Sequence, residues 1–215
     1  MADTGFPDTR RILNIGWVGT GPFSFYGDYM RVINQPEPNS INMRVTHIWG
    51  DDYSKNYRGS DEWVDEMVTM WNEGKQSPAT LAEKYNVPNL CSDYRDMVDE
   101  IDAAMIMDFD RSEELAEPFL KKGMPVFLCS PVAVNVPTLE RILDLAESTG
   151  SAVYTGSFTV GMPENRILYH RTRQDDIASF WAYTYCGFFT SYANDGLEPV
   201  HEMVEGTVRK VAMYG

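Results

Sequence analysis

The sequence predicts an α/β protein: a parallel, doubly wound sheet over residues 11–156, then a short, incomplete α+β domain with an open sheet over 157–215. Three observations carry that expectation. Short apolar runs at 12–18, 44–50, 102–109, 125–129 and 152–156 suit buried strands. Helical segments fall between them, and this alternation implies parallel strands joined by right-handed crossovers. After Gly156 the rhythm changes to a long aromatic stretch, "IASFWAYTYCGFF" (177–189), which suits a strand of a different sheet.

Taken in order, residues 1–10 are polar and read as a flexible arm. "ILNIGWV" is the first strand and runs into Gly19. A helix is expected from about Ser24 to Ile33, closed by the proline- and asparagine-rich loop "NQPEPNS". "RVTHIWG" is the second strand, followed at once by Asp51 and Asp52. Within residues 53–76, Trp63, Met67, Met70 and Trp71 recur at helical spacing. They suit an inserted amphipathic helix packed on the domain, with a lid or subunit contact as the alternative. Ser77 and Pro78 are the N-cap and first residue of a helix over "PATLAEKY". "DYRDMV" suits one or two further helical turns.

"DAAMIMDF" is the third strand, and Ser112 or Asp110 is the expected cap of the helix "EELAEPFLKKG", which stops at Gly123. "PVFLC" is the fourth strand. In "PTLERILDLAESTG", Leu139, Ile142, Leu143 and Ala146 share a face, with Pro137 at the start and Gly150 at the end. "AVYTG" is the fifth strand. Beyond it, "EPVHEMVEG" reads as a helix and "TVRKVAMYG" as a last strand. Two strands and a helix are thin for an independent sheet. Either the sequence is a piece of a longer protein, or a second copy or a partner subunit covers its aromatic strand.

Composition narrows the function. The net charge is −14 over 215 residues, so no basic stripe is available to neutralise nucleic-acid phosphates or to bind an anionic membrane. No apolar run approaches the roughly 18 residues of a membrane span, and no secretory h-region is visible. Cys91, Cys129 and Cys186 are far apart and odd in number, which suits a reducing cytoplasm. His47, His170 and His201 are scattered, so no metal site is expected.

Chemistry first enters at Gly19-Thr20-Gly21-Pro22-Phe23-Ser24, which follows a strand and precedes a helix. In that context a G-x-G turn suits a dinucleotide. The first glycine permits the tight turn, the second lets backbone approach a pyrophosphate, and the small third residue (here Ser24) allows helix–strand packing. The helix N-terminus then offers N–H groups to phosphate. Asp51, at the end of the second strand, is placed to bond the adenosine ribose, and its charge repels a 2′-phosphate. The expected cofactor is therefore NAD, with NADP less favoured. A purely structural turn remains the other reading of these residues.

Beyond this turn, "ILNIGWVGTG", "THIWGDD", "LAEKYNVPNLCSDYRDMVDEIDAAMIMDF", "EELAEPFLKKGMPVFLCSPVAVNVPTLERILDLAESTG" and "DGLEPVHEMVEGTVRKVAMYG" occur in order. In that order and spacing the chain resembles the Gfo/Idh/MocA oxidoreductases, which include glucose–fructose oxidoreductase and inositol dehydrogenase. The resemblance implies an N-terminal Rossmann domain and a C-terminal α/β domain whose open sheet packs the oligomer and roofs the active site. It implies NAD- or NADP-dependent oxidation or reduction of a sugar, cyclitol or related polyol. The family's C-terminal domain continues past the point where this sequence ends.

The departures are specific. Where the family carries Glu-Lys-Pro after the fourth strand, this chain has Cys129-Ser130-Pro131. The resemblance implies that Pro131 shapes the turn under the nicotinamide. Ser130 replaces the lysine; it can relay a hydrogen bond but cannot act as a tuned acid or base. Where the family opens the next helix with histidine, Ser112 stands, and Asp108 and Asp110 bring negative charge close to the cofactor. His201 matches the family's active-site histidine, with Pro199 and Val204 replacing the flanking glycine and aspartate. An ordinary helical histidine is the alternative. Arg166, Tyr169, His170 and Arg171 line the substrate pocket or else form a solvated charged segment. Two functions follow: an oxidoreductase with an altered proton relay, or a nucleotide-binding but catalytically silent homologue acting as a structural or regulatory subunit.

Overall fold

A computed structural model describes residues 11–19, 26–34, 42–50, 77–108, 111–129, 132–133, 135–156, 163–172, 179 and 197–201. The chain divides into two compact units at Tyr154/Thr155. The strands are β1 (Leu13–Val18), β2 (Met43–Trp49), β3 (Asn89–Leu90), β4 (Ala103–Ile106) and β5 (Val126–Leu128), all in the first unit, and β6 (Val153–Thr155), on which the division falls. They form one sheet of order β3-β2-β1-β4-β5-β6. The pairs β1–β2, β1–β4, β2–β3 and β4–β5 are parallel. β3 has only two residues, too few for an apolar pattern to announce it.

The helices are α1 (Tyr26–Asn34), α2 (Pro78–Tyr85), α3 (Ser112–Lys121) and α4 (Val136–Thr149), with a 3-10 helix at Tyr94–Met97. They cover the sheet on both faces, as parallel sheets require. On one face Ile15, Trp17, Val45, Ile48 and Met107 pack with Met30 of α1 and with Leu81, Ala82 and Tyr85 of α2. On the other, Val18, Ala104, Ile106, Val126 and Leu128 pack with Leu115, Ala116, Phe119 and Leu120 of α3 and Ile142 and Ala146 of α4. Gly16 keeps β1 thin on this second face: a Cβ there would lie 2.5 Å from Ile101 and 2.6 Å from Met97.

One irregularity positions the site. Ile15 pairs with Val45 but Gly16 pairs with His47, so Thr46 is an extra residue in β2. Strict alternation would put residues 45, 47 and 49 on one face. The bulge instead puts Val45 and Ile48 together against α1 and α2 and turns Trp49 onto the opposite face, against the α3 core. Bulges re-aim side chains in this way.

Local signals account for most helix ends. Ser77 Oγ accepts from Thr80 N–H at 3.1 Å, and Pro78 opens α2, as expected. Asn86, in the left-handed region at φ 54°, closes α2. Asn135 caps α4 through Thr138 N–H at 2.9 Å, a cap not anticipated, while Gly150 closes that helix at φ 69°, as expected. Asn34, at the end of α1, accepts from Val45 N–H at 2.8 Å and donates to the Tyr85 carbonyl at 2.9 Å, tying α1 to β2 and α2.

The expected cap of α3 is corrected. Ser112 is the first helical residue and Arg111 takes the N-cap position, without a side-chain cap bond. Ser112 Oγ is buried with no hydrogen-bond partner among the described residues. The turn is closed from further back: Asp108 Oδ1 accepts from Arg111 N–H at 3.2 Å. Asp110 lies outside the described residues. In the second unit, α5 (Pro163–Thr172) and a helical stretch at 197–201 are described. The helix at 163–172 was not expected, because its charged residues show little amphipathic order. Apart from Ser179, the aromatic strand at 177–189 lies outside the described residues, as do the insertion at 53–76 and the last strand.

Candidate cofactor site

The order 3-2-1-4 creates a crevice at the carboxyl ends of the strands. β1 leads to α1 on one face and β4 leads to α3 on the other, so the connections diverge on either side of β1. Open parallel sheets bind ligands at such a switch point. Backbone hydrogen bonds extend the sheet to this rim. Gly19 N–H donates to the Trp49 carbonyl at 2.8 Å, Met107 N–H to Val18 at 2.8 Å, and Cys129 N–H to Ile106 at 2.9 Å.

Gly19 is buried at φ 95°. A Cβ on it would lie 3.0 Å from Asp108 Cβ and 3.4 Å from Asp108 N. Both conformation and space therefore demand glycine at the point where the chain leaves β1. Asp108 is 5% exposed, with Oδ1 engaged by the Arg111 backbone. The structure thus brings Gly19 and Asp108 together, and these two were assigned to the cofactor from sequence.

Two residues that sequence reasoning did not assign complete the rim. The Arg111 guanidinium lies 5.9 Å from the Trp49 ring centroid. It is held by Glu114 through Nη2–Oε1 at 3.0 Å and Nε–Oε2 at 3.2 Å. That hydrogen-bonded guanidinium lowers the Glu114 pKa below the usual carboxylate value. Trp49 packs on Tyr94, ring centroids 5.0 Å apart, and Tyr94 on Phe119 at 6.4 Å. Burial raises the Tyr94 pKa. Trp49 and Arg111 stand far apart in sequence; only the strand order and the β2 bulge bring them together.

Thr20, Gly21, Pro22, Phe23, Ser24, Asp51, Ser130 and Pro131 lie outside the described residues. Arg166 and His170 are exposed on α5, where the His170 ring packs edge-on to Tyr169 at 5.5 Å. His201 is exposed in the helical stretch 197–201. Among the described residues no helix is long and apolar enough to cross a membrane.

Sheet order, switch point and glycine turn define a Rossmann dinucleotide-binding domain. A tight left-handed turn that leaves little room for a side chain is what the first fingerprint glycine requires, so the described residues fit a dinucleotide at that point. The profile of the Gfo/Idh/MocA oxidoreductases, "Oxidoreductase family, NAD-binding Rossmann fold", matches residues 13–157. The chain belongs to this family.

Among solved structures it is similar to apo scyllo-inositol dehydrogenase from Lactobacillus casei, at 14% identity and TM-score 0.65, covering 91% of this chain and 55% of that one. A Gfo/Idh/MocA family oxidoreductase from Vibrio cholerae is 26% identical, with TM-score 0.54, covering 75% of this chain and 44% of that one. Biliverdin reductase from Synechocystis, in complex with biliverdin and NADP+, is 16% identical, with TM-score 0.51, covering 77% and 43%. The chain spans about half the length of these structures. No curated protein matches the sequence.

Proposed function

We propose that this chain is the NAD(H)-binding part of an oxidoreductase acting on a sugar, cyclitol or related small polyol. The observation that carries the reading is the Gly19 turn, pressed against Asp108 at the switch point of a chain belonging to an NAD-binding family. A nicotinamide dinucleotide supplies the hydride acceptor or donor. Gly19 to Ser24 cradle its pyrophosphate, Asp51 bonds the adenosine ribose, and Pro131 shapes the turn beneath the nicotinamide. His201 takes or returns the substrate hydroxyl proton, Ser130 relays a hydrogen bond, and Arg166 and His170 orient the polyol. Residues 157–215 are the start of a substrate and oligomerisation domain.

Asp51 carries the cofactor preference in this reading. A carboxylate beside the ribose accepts its hydroxyl hydrogens and repels a 2′-phosphate. Asp51→Ala is expected to weaken NADH binding and relieve the repulsion, narrowing the preference for NADH over NADPH at least tenfold, or ~1.4 kcal/mol. Calorimetry with both cofactors on both proteins measures this; an unchanged preference removes Asp51 from the site.

The activity test is a screen of sugars and cyclitols with NAD, following NADH absorbance. Turnover with a polyol supports the enzyme reading. The replacement of the family's lysine by Ser130 favours a second reading: a catalytically silent, nucleotide-binding subunit. Bound NADH with no turnover on any polyol, in a preparation that includes any missing part of the protein, decides for that alternative.

A further inference from the structure

We propose that Arg111 is a binding residue for the adenine end of the cofactor, its guanidinium plane forming one wall of the adenine slot. The proposal rests on the dinucleotide reading of the switch point and goes beyond it by naming a residue that the glycine turn does not reveal. Trp49 is the last residue of β2, and its carbonyl receives the Gly19 N–H. The ring therefore stands beside the strand end at which a ribose carboxylate would follow. Arg111 reaches the same place from the start of α3, across the switch point, with its guanidinium carbon 5.9 Å from the Trp49 ring centroid.

Several features suit the guanidinium to a base rather than to phosphate. Glu114 holds it by a two-point ion pair, so much of its charge is already matched. Its orientation is also set in advance, which lowers the ordering cost of binding. The Arg111 backbone is tied to Asp108, so the residue's root does not move with its head. Its side chain keeps about a quarter of its surface exposed (24%), and guanidinium planes stack on aromatic rings and on nucleobases alike. Trp49 in turn is backed by Tyr94 and Phe119, a run of tilted ring contacts reaching into the core. Arg111 belongs to neither core cluster, so its planar cation is available to an adenine ring without any change in the core.

The test is calorimetric titration of the full chain with 5′-AMP and with NADH, on wild type and on Arg111→Met, Arg111→Lys and Arg95→Met. Methionine keeps the apolar stem and the backbone bond to Asp108 but removes the plane. Lysine keeps the charge but not the plane. Arg95 lies over Tyr94, 4.4 Å from its ring centroid, in the same aromatic cluster, so Arg95→Met controls for a general loosening of that cluster. The expected result is a roughly tenfold loss of affinity for 5′-AMP and NADH in both Arg111 variants, within the range that base stacking supports, with Arg95→Met unchanged. Thermal unfolding of each variant confirms that it is folded. Unchanged affinity in folded Arg111→Met overturns the proposal, as does full rescue by lysine or an equal loss in Arg95→Met. Absence of NADH binding in the wild type overturns the dinucleotide reading itself, and this proposal with it.

Discussion

Gly19→Val is expected to abolish measurable NADH binding and to destabilise the first unit. Two independent physical terms act at this position. At φ 95° a β-branched residue is strained whatever space surrounds it, a cost of about 1–3 kcal/mol. The added Cβ would also meet Asp108 at 3.0 Å and its backbone nitrogen at 3.4 Å, so the β1 turn or the segment after β4 must shift. That shift, of a few tenths of an ångström, falls where the cofactor's backbone contacts would begin. Gly150→Val is the control. Gly150 also has positive φ, at 69°, but a Cβ there meets nothing within 4 Å and the position closes α4. Its variant should lose stability and keep NADH affinity. Thermal melts and titrations of both variants separate the two effects. Wild-type affinity in Gly19→Val would mean that the turn is only structural.

Ser130→Lys is expected to raise dehydrogenase turnover on the responding polyol by about 10²–10⁴-fold, the usual contribution of general acid–base help. Hydride leaves carbon only as the hydroxyl proton departs, and serine neither accepts that proton near neutral pH nor steadies the developing alkoxide with positive charge. In the proposed reading His201 takes part of the proton transfer, so His201→Ala should lower whatever activity the wild type has. Following NADH absorbance for the three proteins decides the point. Brisk wild-type turnover that Ser130→Lys abolishes would give Ser130 a role of its own and refute the altered-relay account. Silence in all three, with NADH bound, would favour the structural or regulatory reading.

The parts of this fold that the sequence announces are those governed by local rules. β1, β2, β4, β5 and β6 are apolar runs long enough to be noticed, and Ser77, Pro78 and Gly150 mark helix ends by their own chemistry. β3 was not announced, because two residues carry no period. The end of α3 was foreseen but its start was not: Asp108, three residues before the N-cap, closes that turn, and Ser112 falls inside the helix instead of capping it. The rim of the site divides in the same way. Gly19 was legible because a glycine after a strand has few uses. Trp49 was hidden by the bulge at Thr46, since strict alternation places it on the face opposite the one it occupies. Arg111 was hidden because nothing in its own segment refers to β2; the strand order joins them.

The central claim is that the carboxyl edge of this sheet holds a dinucleotide, and direct calorimetric titration of the purified chain with NADH and NADPH tests it. The account predicts saturable binding of NADH, tighter than that of NADPH, and competition by 5′-AMP. Absence of saturable heat with either cofactor, in protein that unfolds cooperatively, would contradict it.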